Sequence, residues 1–283
     1  MSQLKMSAKP LICEIIKQNA TEKEILWLND KVKSDSKTIL TAFVATPRFI
    51  RKTIIETSDN SLAEPVPGWS VKGWSLDRLV RIYLLLHLSS EDKTSYFKNI
   101  ETLFETGEIN ELVSLYSALS VLDFTEDWVF RATEAVRSNI GFVFDAIAFG
   151  NPYPARYFSN PAWNQLVLKC IFNDKPVHLI LGLEERANLK LAETLSDFAH
   201  ERWAAGRKVP AQVWRLVSKF VNETILKDLI HLFESNDKYD RMAAALVCSE
   251  TNFEPAHSLL NKFPELKQGV QNKVFSWTEL EIL

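Results

Sequence analysis

The chain has 283 residues, 46% of them apolar and 24% charged, with a formal net charge of −3. These values fit a globular protein with a sizeable core and exclude a disordered chain or one whose charge suits a nucleic-acid partner. Only 8 residues are glycine, which leaves Gly-rich phosphate loops and serial tight β-turns poorly supplied.

Helical periodicity dominates from the start. Residues 9–33 read as two short amphipathic helices broken near Asn19, the second carrying Ile25, Leu28 and Val32 on one stripe. Residues 37–44 read as a further helix running into Pro47. The stretch from Thr57 to Gly73 holds Ser58, Asp59, Asn60, Ser61, Pro65, Pro67 and Gly68, and reads as a loop anchored by Trp69 and Trp74. A strong stripe follows at Leu76, Leu79, Val80, Tyr83, Leu84 and His87, with Asp77 in the first turn. Ser90-Glu91-Asp92 caps the next helix, which ends near Gly107, and a shorter one covers residues 111–119.

Residues 125–149 read as the longest helix. Trp128, Val136, Phe142, Val143 and Ala146 lie on one side, and Ile140, Phe144 and Ile147 on another, so the sequence predicts a central helix buried nearly all round. Asn151-Pro152-Tyr153-Pro154 stops it. Asn160-Pro161 opens a helix with Trp163, Val167, Cys170 and Ile171 inward. Asn188 caps another that runs to Gly206, and Pro210 opens one through Phe220. Beyond 220 the helices shorten. The run from Asp237 to Leu246 has the pattern of the second helix of a HEAT repeat. The expected fold is therefore all-α: a single multi-helix array over residues 1–283, with N-terminal helices at 1–56, a central core at 74–220 and HEAT- or armadillo-like helix pairs at 221–283.

Cys13, Cys170 and Cys248 are widely spaced and sit among apolar residues, which reads as three buried, reduced thiols. The N-terminus lacks the apolar core of a signal peptide. The most apolar stretch, residues 79–88, is about half the ~20 residues that a membrane span needs. The expectation is a cytoplasmic protein with no transmembrane segment and no nucleic-acid partner.

Motifs for chemistry are sparse. Gly-x-Ser-x-Gly, Gly-x-Gly-x-x-Gly and a Walker loop are absent, so neither a catalytic residue nor a cofactor is assigned. Glu193, Asp197 and His200 share one helix face. A metal bundle needs a second such helix, which the sequence lacks, so no metal site is assigned either. The informative cluster is cationic and amide-rich: Arg137, Asn139, Asn151, Arg156, Trp163, Asn164, Lys169, Arg186, Asn188, His200, Arg202, Trp203 and Arg207. Residues 151–215 hold nine basic and six acidic side chains, an excess that suits an anionic ligand. Such groups form either a pocket or a network that ties helix ends and loop carbonyls together. If they form one site, the segments at 137–139, 151–156, 163–169 and 200–207 converge.

Several ordered motifs resemble the EboA family. They are Arg137-Ser138-Asn139, the segment from Asn151 to Phe158, Ala162 to Lys169, Gly182 to Asn188 and Ala199 to Arg207, with Gly73-Trp74-Ser75-Leu76-Asp77 upstream. The resemblance spans roughly residues 40–220. It implies a protein encoded in bacterial clusters beside a UbiA-type prenyltransferase, TIM-barrel-like proteins and a metal-dependent hydrolase. Those clusters are linked to movement of natural-product precursors from cytoplasm to periplasm. The expected role is a non-enzymatic accessory that binds a small-molecule precursor or another protein of the same cluster. An enzyme acting on that precursor and a helical-repeat scaffold are the alternatives.

Overall fold

Side-chain caps decide where many of the helices begin. The computed structural model describes residues 3–57 and 64–281, with side chains from Ala8 onward. Ser58, Asp59, Asn60 and Ser61, expected in a loop, lie outside the described residues. The chain divides into two compact units, residues 1–162 and 163–283.

The first unit starts with α1 (Gln3–Asn19), α2 (Glu22–Lys31) and α3 (Ser36–Ala45). Thr21 and Glu24 form a reciprocal capping box at the start of α2, and Asp35 caps α3 through the Thr38 amide. A 3-10 turn at Thr46–Arg48 places Pro47 where its missing N–H costs nothing. The unit continues with α4 (Leu76–Leu85), α5 (Lys93–Thr106), α6 (Ile109–Ala118), α7 (Val129–Arg137), α8 (Gly141–Ala148) and α9 (Tyr153–Tyr157).

Helix α4 packs against α1, α3 and α6, and α6 also meets α5, α7 and α8. Most of α4 is buried, including Leu76, Leu79, Val80, Ile82, Leu84 and Leu85. Each such aliphatic side chain contributes about 1.5–3 kcal/mol by leaving water. Trp69 is fully buried and donates its Nε1–H to the Ser117 carbonyl at 2.6 Å, with Trp74 edge-on at 5.2 Å. The loop before α4 is thus held by its tryptophans, as the sequence suggested.

The expected helix over 125–149 is instead three pieces. A 3-10 turn covers Thr125–Trp128, then α7 ends at Arg137 and α8 starts at Gly141. At the break, the Ser138 hydroxyl accepts the Ile140 amide at 3.1 Å, an interaction that competes with the helix ladder just before a glycine. Phe144 is 1% exposed, as expected. Phe142 and Phe130, however, are 72% and 66% exposed, so neither α7 nor α8 is buried all round. The longest helix among the described residues is α1, and α4 takes the central place.

The second unit begins within α10 (Asn160–Phe172) and holds α11 (Leu189–Ala204), α12 (Glu223–Glu234), α13 (Lys238–Glu250), α14 (Glu254–Leu260), α15 (Pro264–Gln271) and α16 (Trp277–Leu280). The segment after Pro210 is two 3-10 turns, Ala211–Leu216 and Ser218–Phe220, rather than an α-helix. Ala243, Ala244 and Ala245 are fully buried, and α13 meets α12, α14, α15, α16 and the first of those turns. Small side chains allow these close approaches. Because α13 has neighbours on several sides, a repeat is only loosely suggested. No strand occurs among the described residues, so the fold is all-α. Cys170 and Cys248 are buried and Cys13 is partly exposed, and none of the three is in a disulfide. Burial pushes the Cys248 thiol up to about 12.

Candidate functional site

The polar residues singled out by sequence separate into several local arrangements. In the first unit, Asn151 is 3% exposed and its amide is fully used. Its Nδ2 donates to the carbonyls of Ala146 at 3.0 Å and Tyr116 at 3.3 Å. Its Oδ1 accepts from the Ser120 hydroxyl at 2.9 Å and the Tyr153 amide at 3.0 Å. One side chain therefore ties the end of α6, the end of α8 and the start of α9 together. Arg156 is exposed and donates to the Pro67 carbonyl at 3.1 Å. Arg137 and Asn139 are exposed at the α7–α8 break. Neither they nor Arg156 share a bond with Asn151 among those recorded for it.

In the second unit, Asn164 and Asn188 exchange amide bonds at 2.8 and 3.1 Å. Asn188 also caps α11 by accepting the Leu191 amide and donates to the Arg186 carbonyl at 3.2 Å. Arg186 lies 5.0 Å above the Trp163 ring. Burial holds both Arg186 and Lys169 below their ordinary pKa values, with Lys175 adding repulsion at Lys169. Arg202 donates to the Lys208 carbonyl and sits over Phe198, while Arg207 is exposed.

His200 has a separate partner. Its Nε2 lies 2.6 Å from Oδ1 of buried Asp228, whose Oδ2 accepts the Ser196 hydroxyl at 2.6 Å. Trp203 lies 5.8 Å from His200 and 4.1 Å from His231, and stacks on Trp214 at 5.8 Å. The geometry orients an imidazole with a carboxylate. Serine, however, is bonded to the carboxylate rather than to the imidazole, which is not the order of a serine nucleophile. Glu193, which shares the helix face of His200, lies 3.8 Å from Lys190. Among the described residues no group of three His, Cys, Asp or Glu side chains is arranged to hold a metal.

A groove lies elsewhere in the first unit. Helices α2 and α3 and the residue after the 3-10 turn enclose a groove of about 550 Å³, within the range of small-molecule sites. Its lining is Trp27 and Lys31 from α2, Lys37, Thr38, Thr41, Ala42 and Ala45 from α3, and Phe49. Trp27 and Phe49 stack at 4.9 Å with an interplanar angle of 14°. A smaller hollow of about 70 Å³ in the second unit is lined by Ile171, Asp174, Lys175, Val177, Pro210, Gln212 and Val213.

Glu24 anchors one wall of the larger groove. It caps α2 and also accepts the Arg51 backbone amide at 2.8 Å and the Arg51 Nε at 3.1 Å. Burial alone would raise this carboxyl. The donors from Arg51 and Thr21 outweigh that and hold it at about 2. The chain two residues past Phe49 is thereby tied to the start of α2.

The family model for the metabolite traffic protein EboA matches residues 8–218. The chain belongs to the EboA family. The match takes in most of α1 and all of α2 and α3, ahead of the motifs that resemble the family. No curated protein and no solved structure matches the chain. The whole groove and the whole Asn151 network fall inside the EboA match, whereas Asp228 and His231 lie beyond it. The groove escaped the sequence reading because its residues are individually ordinary. The available signal was Trp27 and Lys31 one helical turn apart, facing the small pair Ala42 and Ala45.

Proposed function

We propose that this EboA-family protein serves metabolite traffic as a non-enzymatic accessory, binding a small precursor on its way toward the membrane and periplasm. The family match over residues 8–218 carries this reading, and the 550 Å³ groove inside that span supports it by supplying a place to bind. No helix is long and apolar enough among the described residues to cross a membrane, which fits a protein that hands its cargo on rather than conducts it. We place it in the cytoplasm, with other proteins of the same cluster as partners. A second reading, an enzyme acting on the precursor, is favoured by the His200–Asp228 pair, because a buried carboxylate holds an imidazole in fixed orientation.

Mass spectrometry separates the two. The protein is purified from cells that carry its cluster, and small molecules are extracted from it and from matched incubations with cluster metabolites. The accessory reading expects a bound metabolite released with unchanged mass. Turnover by the isolated protein, lost in His200→Ala, would sink it and establish the enzyme.

A further inference from the structure

The groove lining is unequal in a way that specifies its ligand. Trp27, Phe49, Ala42 and Ala45 supply ring carbon and methyl surface, and Thr38 and Thr41 supply hydroxyls. The ionisable side chains of the lining are Lys31 and Lys37, with no carboxylate among the lining residues. Lys31 is already paired with Asp30 at 2.8 Å. Thr41 spends its hydroxyl proton on the Lys37 carbonyl at 3.0 Å. Asp35, the acid whose field reaches Lys37, is engaged in capping the Thr38 amide at 2.8 Å. Lys37 makes no direct ion pair among the described residues, whereas the Thr38 hydroxyl is bonded to the Asp35 carboxylate. Phe49 is 49% exposed, an apolar ring kept in water beside a stacked tryptophan.

We propose that this groove binds a planar, conjugated ring system bearing a carboxylate, with the ring on the Trp27–Phe49 face and the oxyanion at Lys37. Flat rings gain from offset contact with other rings beyond their area alone. An ammonium without a competing acid in direct contact gains a charge-assisted hydrogen bond from a carboxylate. The inference rests on the reading of the protein as a small-molecule binder and names the class of molecule. It predicts selectivity on two independent axes, flatness and charge.

Isothermal titration of the full-length protein with three probes reads both axes. They are 2-naphthoate, the uncharged 2-naphthamide of the same shape, and decahydro-2-naphthoate, which keeps the charge and loses the ring plane. The naphthoate should bind at least about tenfold more tightly than either other probe, the scale of one charged hydrogen bond. Lys37→Gln should abolish the preference over the amide, and Lys37→Arg should restore it. Phe49→Ala should abolish the preference over the decahydro compound while the circular dichroism spectrum stays unchanged. Equal binding of all three probes, or naphthoate binding that ignores both the Lys37 and the Phe49 substitutions, overturns the assignment. In that case a metabolite still extracted from the native protein leaves the accessory reading standing. Loss of that extracted metabolite, with the probe selectivity intact, refutes the accessory reading alone.

Discussion

Asn151 and Lys37 belong to the same compact unit and represent opposite uses of polarity. The Asn151 amide has four partners within the protein and is 3% exposed, so nothing remains for a ligand. Lys37 lines an open groove beside stacked rings and holds no direct ion pair among the described residues. Asn151, conspicuous in sequence, is thus spent on holding the fold. Burial forces polar groups to find partners inside the protein, and that consumption is what makes a structural residue distinctive. Under the proposed assignment, Lys37 stays unspent and looks like any surface lysine.

The comparison breaks first at Asn151. Asn151→Ala leaves the Ser120 hydroxyl, the Tyr153 amide and two carbonyls without their partner, and should cost about 3–5 kcal/mol in urea unfolding. A loss below about 1 kcal/mol would mean that the network is dispensable. Glu24 sharpens the contrast by pH. Its folded pKa of about 2 lies below the ordinary value of 4.5, so its stabilisation is fully present above about pH 4.5 and fades as pH falls toward 2. Glu24→Gln should lower stability at neutral pH by about 1–2 kcal/mol, a figure reduced because Arg51 is half-exposed and screened, and should flatten the acid limb of the profile. An unchanged acid limb would assign that limb to other carboxylates. The smallest effect belongs to Lys37→Gln, expected within about 0.5 kcal/mol of the parent in the same unfolding measurement. A larger loss would make Lys37 structural and remove the contrast.

The all-α fold was legible because repeated apolar stripes, caps and scarce glycine agree with one another. Asp92 and Asn188 each cap a helix, and Trp163, Val167 and Cys170 are buried as their spacing implies. The helix over 125–149 was misread because apolar content outweighed a local competition: the Ser138 hydroxyl and Gly141 break a stretch whose flanks are good helix formers. In the site, the sequence could pair neither Asn164 with Asn188, 24 positions apart, nor His200 with Asp228, 28 apart. Helical spacing states which residues share a face, but not which face of another helix they meet. The groove was invisible for the same reason, since its walls are two helices and a turn whose approach depends on packing.

The double bond-making of Glu24 has a consequence for measuring affinity. One carboxylate starts α2, which carries Trp27, and fixes Arg51, two residues beyond Phe49. The two halves of the aromatic pair are therefore set by a residue that does not line the groove. Folding energy and ligand affinity are linked there: a change at position 24 would register as weakened capture although it touches no bound atom. Acidification toward pH 2 would do the same, loosening the ring pair from behind.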